Sequence, residues 1–184
     1  MKYKHQQINC QLGKEIHVFD GVLTESVKNK IFSIARNASY KFAEHDTIVP
    51  EFHANDQHLV GYCEHEYVND FFLPELSRPQ EIAERIDGLK IQNAFFNVST
   101  PSGVNFVHTH VQPWVLLYYV NLHWPPGAFG ETHFYTEDSK DVQYTSTFTP
   151  GRIVLFNGSI PHTIRPQSII GPSHRFTLTM FLGD

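Results

Sequence analysis

The chain has 184 residues, 41% of them hydrophobic and 14% aromatic, with a net charge of −5 and its Lys and Arg scattered rather than clustered. That length suits one domain with a packed, strand-rich core, and the absence of a basic run argues against direct nucleic-acid binding. No run approaches the roughly 18 apolar residues of a membrane span, and the polar start from Met1 to His5 lacks the apolar stretch of a signal peptide, so the expected location is the cytoplasm.

Glu15 to Phe19 alternates like a half-buried strand, and Asp20-Gly21 ends it with turn chemistry. Thr24 then caps a predicted helix reaching Arg36, in which Val27, Ile31, Ile34 and Ala35 recur at helical spacing. Residues 40–68 carry histidines and aromatics without a period, which predicts a loop with one short strand at most, as either a substrate-facing loop or a plain connector would be. Asn69 to Leu76 and Pro79 to Ile86 read as short helices, the second followed by Gly88.

From Leu89 the chain changes character. Leu89–Val98, Val104–Thr109, Trp114–Asn121, Thr132–Tyr135, Arg152–Asn157, His162–Arg165 and Arg175–Leu182 are short β-branched and aromatic runs separated by Gly, Pro, Asn and Ser. Many short strands with frequent turns predict a sandwich or barrel, a jelly roll being one solution. Residues 1–184 therefore form one domain, with a support region over 1–88 and a mainly β core over 89–184. Asp138 to Asp141 reads as a solvated hairpin connection and Trp124-Pro125-Pro126-Gly127 as a rigid turn beside the site. Cys10 and Cys63 are too few for a disulfide framework or a thiolate zinc site.

Histidine is the unusual component, with twelve in the chain, and imidazole is the commonest metal ligand. His108 and His110 stand at i and i+2, which on an extended strand puts both rings on one face within reach of one ion. His162, placed directly after a strongly apolar strand, completes a ligand trio if the fold brings it back. In the last run Arg175, Thr177 and Thr179 share one face, opposite Phe176, Leu178, Met180 and Leu182. If the apolar face is core, Arg175 points into the barrel and needs an anion, for which a carboxylate is the bidentate match and Thr177 a further donor.

These landmarks come in a telling order: the histidine pair, Tyr118 to Asn121, Gly130 to Phe134, Pro150-Gly151-Arg152, Pro161-His162, and Arg175-x-Thr177. In that order and approximate spacing, residues 90–182 resemble the prolyl-hydroxylase-like 2-oxoglutarate/Fe(II) dioxygenases, and Ile16 to Ala35 more loosely resembles the strand and helix before their core. The resemblance implies a double-stranded β-helix (jelly roll, cupin-like) with flanking N-terminal α-helices. It implies Fe(II) and 2-oxoglutarate as cofactors, with ascorbate in support, and hydroxylation of a peptidyl or small-molecule C–H bond with release of succinate and CO2. Carried over residue by residue, it makes His108 the first iron ligand, His162 the distal histidine, and Arg175, Thr177 and Tyr119 the cosubstrate contacts.

One departure stands out: the family has an aspartate two residues after its first histidine, and this chain has His110. A three-histidine site is the favoured reading. The others are a shifted pair of His110 with Gln112, a carboxylate from Glu131, and another divalent metal. His133, His174, Gln112 and Glu131 are candidates to support the ligands, whereas His5, His17, His45, His53, His58, His65 and His123 read as surface or supporting groups. Substrate choice is expected in residues 40–68 and 122–130. Two other classes fit the same residues: a cupin-like three-histidine dioxygenase that does not use 2-oxoglutarate, and a non-catalytic jelly-roll binding module.

Overall fold

The structure is a computed structural model that describes residues 2–42, 59–101, 103 and 106–184. The chain runs β1 (Lys4–Asn9), β2 (Glu15–Asp20), α1 (Glu25–Asn37), β3 (Lys41–Phe42) and β4 (Leu59–Tyr62). A helical stretch follows, from α2 (His65–Tyr67) through a π turn (Val68–Phe72) into α3 (Leu73–Leu76), and then α4 (Gln80–Ile86). The core comprises β5 (Lys90–Ser99), β6 (Trp114–Tyr119), β7 (Thr132–Tyr135), β8 (Val142–Ser146), β9 (Ile153–Asn157), β10 (His162–Ile164) and β11 (Arg175–Gly183).

Two antiparallel sheets result. The larger has the order β1-β2-β9-β6-β11-β5-β4-β3, and the smaller is β10-β7-β8. Central β6 is apolar on both faces because both are covered: Leu116 and Tyr118 pack towards the helices, while Val115, Leu117 and Tyr119 join Phe134, Phe148 and Phe156 between the sheets. Thr24 caps α1, its Oγ1 accepting from the Val27 N–H at 3.3 Å, and Ile31 and Ala35 are wholly buried in the layer between helices and sheet.

Several sequence expectations need correction. Within 104–109 there is no strand among the described residues; Val104 and Asn105 lie outside them, and His108 makes only an isolated antiparallel bridge to His162. The ladder does not continue to the next pair, His110 with Ile160, because the Ile160 N–H goes to the Asn157 carbonyl at 3.0 Å and the His110 N–H to the Gly158 carbonyl at 2.8 Å. Strands β1 and β8 were not anticipated. Nearly every β1 side chain is polar and exposed, so the period-2 signal that marks a half-buried strand is missing. The helix expected from Asn69 begins earlier, at His65, and contains the π turn. Of the loop expected over 40–68, residues 43–58 lie outside the described residues, and the remainder includes β3 and β4. The Asp138–Asp141 stretch does join β7 to β8, closed by the Thr136 N–H on the Asp141 carbonyl at 2.8 Å.

Candidate metal centre

Backbone bonds, rather than a regular strand, hold the histidine pair. The His108 and His162 N–H groups each donate to the other's carbonyl at 3.0 Å, and the His110 N–H donates to the Gly158 carbonyl at 2.8 Å. This close approach needs glycine, since a Cβ on Gly158 would lie 2.2 Å from the Gln112 carbonyl oxygen. One potential ligand atom from each of His108, His110 and His162 lies within 4.8 Å of the others.

The surroundings set the ring chemistry. His108 Nδ1 lies 2.9 Å from the Phe106 carbonyl and His162 Nδ1 lies 2.9 Å from the Ile160 carbonyl. A carbonyl can only accept, so each Nδ1 carries a proton and Nε2 is the nitrogen turned to other partners. His162 packs beside Phe156, and burial, reinforced by neighbouring His108 and His110, holds its pKa well below the usual histidine range. It is therefore a neutral imidazole at physiological pH. His110 rests against the Phe181 ring at 4.6 Å.

Strand β11 delivers the second part of the site. Leu178, Met180 and Leu182 enter the core layer under the helices, and Thr177 and Thr179 face a cleft of about 650 Å³ that the histidine trio also lines. Arg175 lies deeper, 1% exposed, with its Nε donating to the Gly130 carbonyl at 2.9 Å. Its guanidinium carbon is 4.9 Å from the Phe148 ring centre and 5.5 Å from that of Tyr119. Burial pushes its pKa down to about 10, which leaves it charged at neutral pH. Its Nη2 and the Thr177 Oγ1 are buried and have no hydrogen-bond partner among the described residues. A sealed cation with an unmet donor beside an unmet hydroxyl has the chemistry of an anion seat.

The other expected residues are distributed around this centre. Tyr119 Oη is within 2.9 Å of Thr132 Oγ1 and 3.3 Å of the Ser146 carbonyl. Gln112 lines the cleft and donates to Gln92 Oε1 at 3.1 Å. Glu131 Oε2 is 4.0 Å from Arg165 Nη1 and is not grouped with the histidines. His133 is not among the residues lining the cleft; Thr132 faces it instead, and His133 Nδ1 contacts Thr145 Oγ1 at 2.9 Å. His174 is exposed and bonded to Ser173. His17, expected at the surface or in support, is wholly buried, bonded to His5 and Glu15 and outside the cleft lining. His45, His53 and His58 lie outside the described residues.

Sequence reasoning missed the wall opposite the trio. Asn93, Phe95 and Asn97 of β5 and Tyr62 of β4 line the cleft, while Ala94 and Phe96 turn into the core. The alternation in Asn93-Ala94-Phe95-Phe96-Asn97-Val98 is the signal that could have found it.

The donor set fits the groups that the fold implies. Three imidazole nitrogens suit a divalent transition metal, and the Arg175 Nη2 and Thr177 Oγ1, unpartnered among the described residues, suit a carboxylate.

No protein-family model and no curated protein matches the sequence. Solved structures do. The chain is similar to a Pseudomonas putida prolyl-4-hydroxylase at TM-score 0.68 and 15% identity, over 99% of this chain and 92% of that one. It is similar to a Trichoplax adhaerens prolyl hydroxylase, solved with a peptide fragment of the hypoxia-inducible-factor oxygen degradation domain, at 0.64 and 15%, over 92% and 83%. It is also similar to HygX from Streptomyces hygroscopicus, solved with nickel and 2-oxoglutarate bound, at 0.62 and 11%, over 91% and 82%. The mainly β architecture, two antiparallel sheets with N-terminal helices on the larger, is the jelly-roll fold of the prolyl-hydroxylase-like 2-oxoglutarate/Fe(II) oxygenases.

Proposed function

We propose that this protein is an Fe(II)- and 2-oxoglutarate-dependent oxygenase that hydroxylates a C–H bond of a peptidyl or small-molecule substrate. One observation carries the reading: three imidazoles converge within 4.8 Å at a cleft that Thr177 also lines, two residues along β11 from a sealed arginine with an unmet donor. His108, His110 and His162 would hold the metal, and Arg175 with Thr177 would hold the distal carboxylate of 2-oxoglutarate. Bound together, the two cofactors supply dioxygen activation coupled to decarboxylation, giving succinate, CO2 and one oxygen atom for the substrate.

The chain's own residues orient and shield. The carbonyls of Phe106 and Ile160 hold two of the rings by Nδ1, so that Nε2 would be the atom each offers the metal. Phe148 and Tyr119 flank the guanidinium and Gly130 fixes its Nε, so the anion seat is in place before cosubstrate arrives. Tyr119 itself would bear on cosubstrate through Thr132, whose Oγ1 it contacts and which lines the cleft. Glu131, set against Arg165, tempers the field around Arg175.

The test is 2-oxoglutarate binding to anaerobic, iron-loaded protein, followed by calorimetry and by the charge-transfer absorption of the iron complex. Arg175→Leu removes charge-assisted bonds worth about 1.5–3 kcal/mol each, so affinity should fall on the order of 100-fold with metal affinity unchanged. Unchanged cosubstrate binding in that variant, or none in the wild type, refutes the assignment.

A further inference from the structure

One short segment, residues 129–131, addresses two arginines in turn. The Phe129 ring centre lies 3.6 Å from the Arg165 guanidinium carbon, the Gly130 carbonyl accepts from Arg175 Nε at 2.9 Å, and the Glu131 carbonyl accepts from the Arg165 N–H at 2.8 Å. Between these two contacts Glu131 brings an acid. Its Oε2 lies 4.0 Å from Arg165 Nη1, which is an ion pair without a hydrogen bond, and that oxygen is buried with no hydrogen-bond partner among the described residues.

A buried carboxylate oxygen without a hydrogen bond depends on nearby positive charge, and the two arginines supply it unequally. The Arg165 side chain is 45% exposed, so water and salt screen much of what it offers. Arg175 is sealed, where a charge acts over a longer range. Burial lowers the Arg175 pKa, and Tyr119 and Glu131 act against that lowering, so Glu131 already answers part of the guanidinium's charge. A carboxylate entering the seat is attracted by Arg175 and repelled by Glu131 together.

We propose that Glu131 is an affinity-determining residue of the carboxylate seat: a resident anion that weakens the grip of Arg175 on the distal carboxylate of 2-oxoglutarate, with Arg165 setting how far. This rests on the oxygenase reading of the site and goes beyond it by assigning the groups that tune cosubstrate affinity. The chemistry gives such a brake a use. Succinate keeps the carboxylate that Arg175 would hold, so a seat that grips too tightly also retains the coproduct and slows turnover.

The experiment uses the full chain loaded with Co(II), in which no turnover intervenes, titrated by calorimetry with 2-oxoglutarate and with pyruvate, a 2-oxoacid that lacks the distal carboxylate. Glu131→Gln keeps the shape of the side chain and removes its charge, and Oε2 has no hydrogen bond to lose. It should tighten 2-oxoglutarate about tenfold and pyruvate much less. Arg165→Gln should act in the opposite direction and weaken 2-oxoglutarate about threefold, because the acid loses its other cation. A fold defect would weaken binding in either variant, so opposite signs are what charge alone produces. Unchanged or weaker 2-oxoglutarate binding in Glu131→Gln, or an equal gain for pyruvate, overturns the proposal and leaves the oxygenase reading standing. Should Glu131→Gln not fold, the half-exposed Arg165→Gln decides: 2-oxoglutarate affinity that does not fall there overturns the proposal as well. Failure of the wild type to bind 2-oxoglutarate instead defeats the oxygenase reading, and this proposal with it.

Discussion

Single atoms decide much of this site. Gly158 is the clearest case, because the two histidines at 108 and 110 are held by a backbone that passes directly over it. Any side chain at 158 would overlap the Gln112 carbonyl, which is backbone and cannot rotate away. Gly158→Ala should therefore displace the 108–112 segment and weaken metal binding at least about tenfold, while destabilising the fold by about 1–3 kcal/mol. Metal titration and urea unfolding of the variant check both; wild-type metal affinity would show that the close contact is not what positions the ligands. Gly130 works similarly for the other half of the site. Its φ of +80° lies in the left-handed region, and a Cβ there would be 3.0 Å from Trp124 and 3.2 Å from Arg175 Cδ. Neither glycine carries a chemical group, so a search for reactive side chains passes over both.

Elements explain why the support region matters to a site it does not line. Strand β2 pairs with β9, the strand leading to His162, and α4 is tied to β2 through Arg85 and Glu15 at 3.1 Å. Within that joint His17 is fully buried against Glu15 and His5. Burial lowers the His17 pKa, chiefly by desolvation, and the His17 hydrogen bond foremost lowers that of Glu15. For both groups the unfolded chain binds protons more readily than the folded one, so both signs agree: stability is present at neutral pH and is lost as the pH falls. The His17 contribution begins to disappear near the ordinary histidine value of 6.5, and that of Glu15 only below its ordinary value of 4.5. Urea midpoints of the metal-free protein should thus drop between about pH 7 and pH 5, and His17→Gln should flatten that slope. A slope that is identical in the variant would exclude His17 as its source.

On the scale of the whole molecule, the histidine trio joins the 108–110 segment to β10, which the paired backbone bonds of His108 and His162 also connect. A metal that binds the folded chain alone must stabilise it by mass action, about 2.7 kcal/mol at a concentration one hundred times Kd. For a domain of this size that corresponds to a rise in Tm of about 5–11 °C. Thermal melts with Fe(II), Co(II) or Ni(II), before and after a chelator, measure it. An unchanged Tm in all three would count against a resident metal and favour a non-catalytic binding module.

Much of this molecule was legible from one sequence. The core strands from Lys90 onward other than β8, the capped helix α1 and the inward face of β11 follow from periodicities that the backbone imposes locally, so residues within a few positions of one another suffice to read them. His108, His110, His162 and Arg175 could be singled out because their residue types are costly to place inside a protein without a purpose. What the sequence could not determine is which distant groups touch. The bridge between His108 and His162, the pressing of Gly158 against Gln112, the aromatic flanks of Arg175 and the amide wall of β5 all join residues far apart in the chain. Those contacts are set by how two sheets close over one interior, a property of the packed whole that no local period encodes.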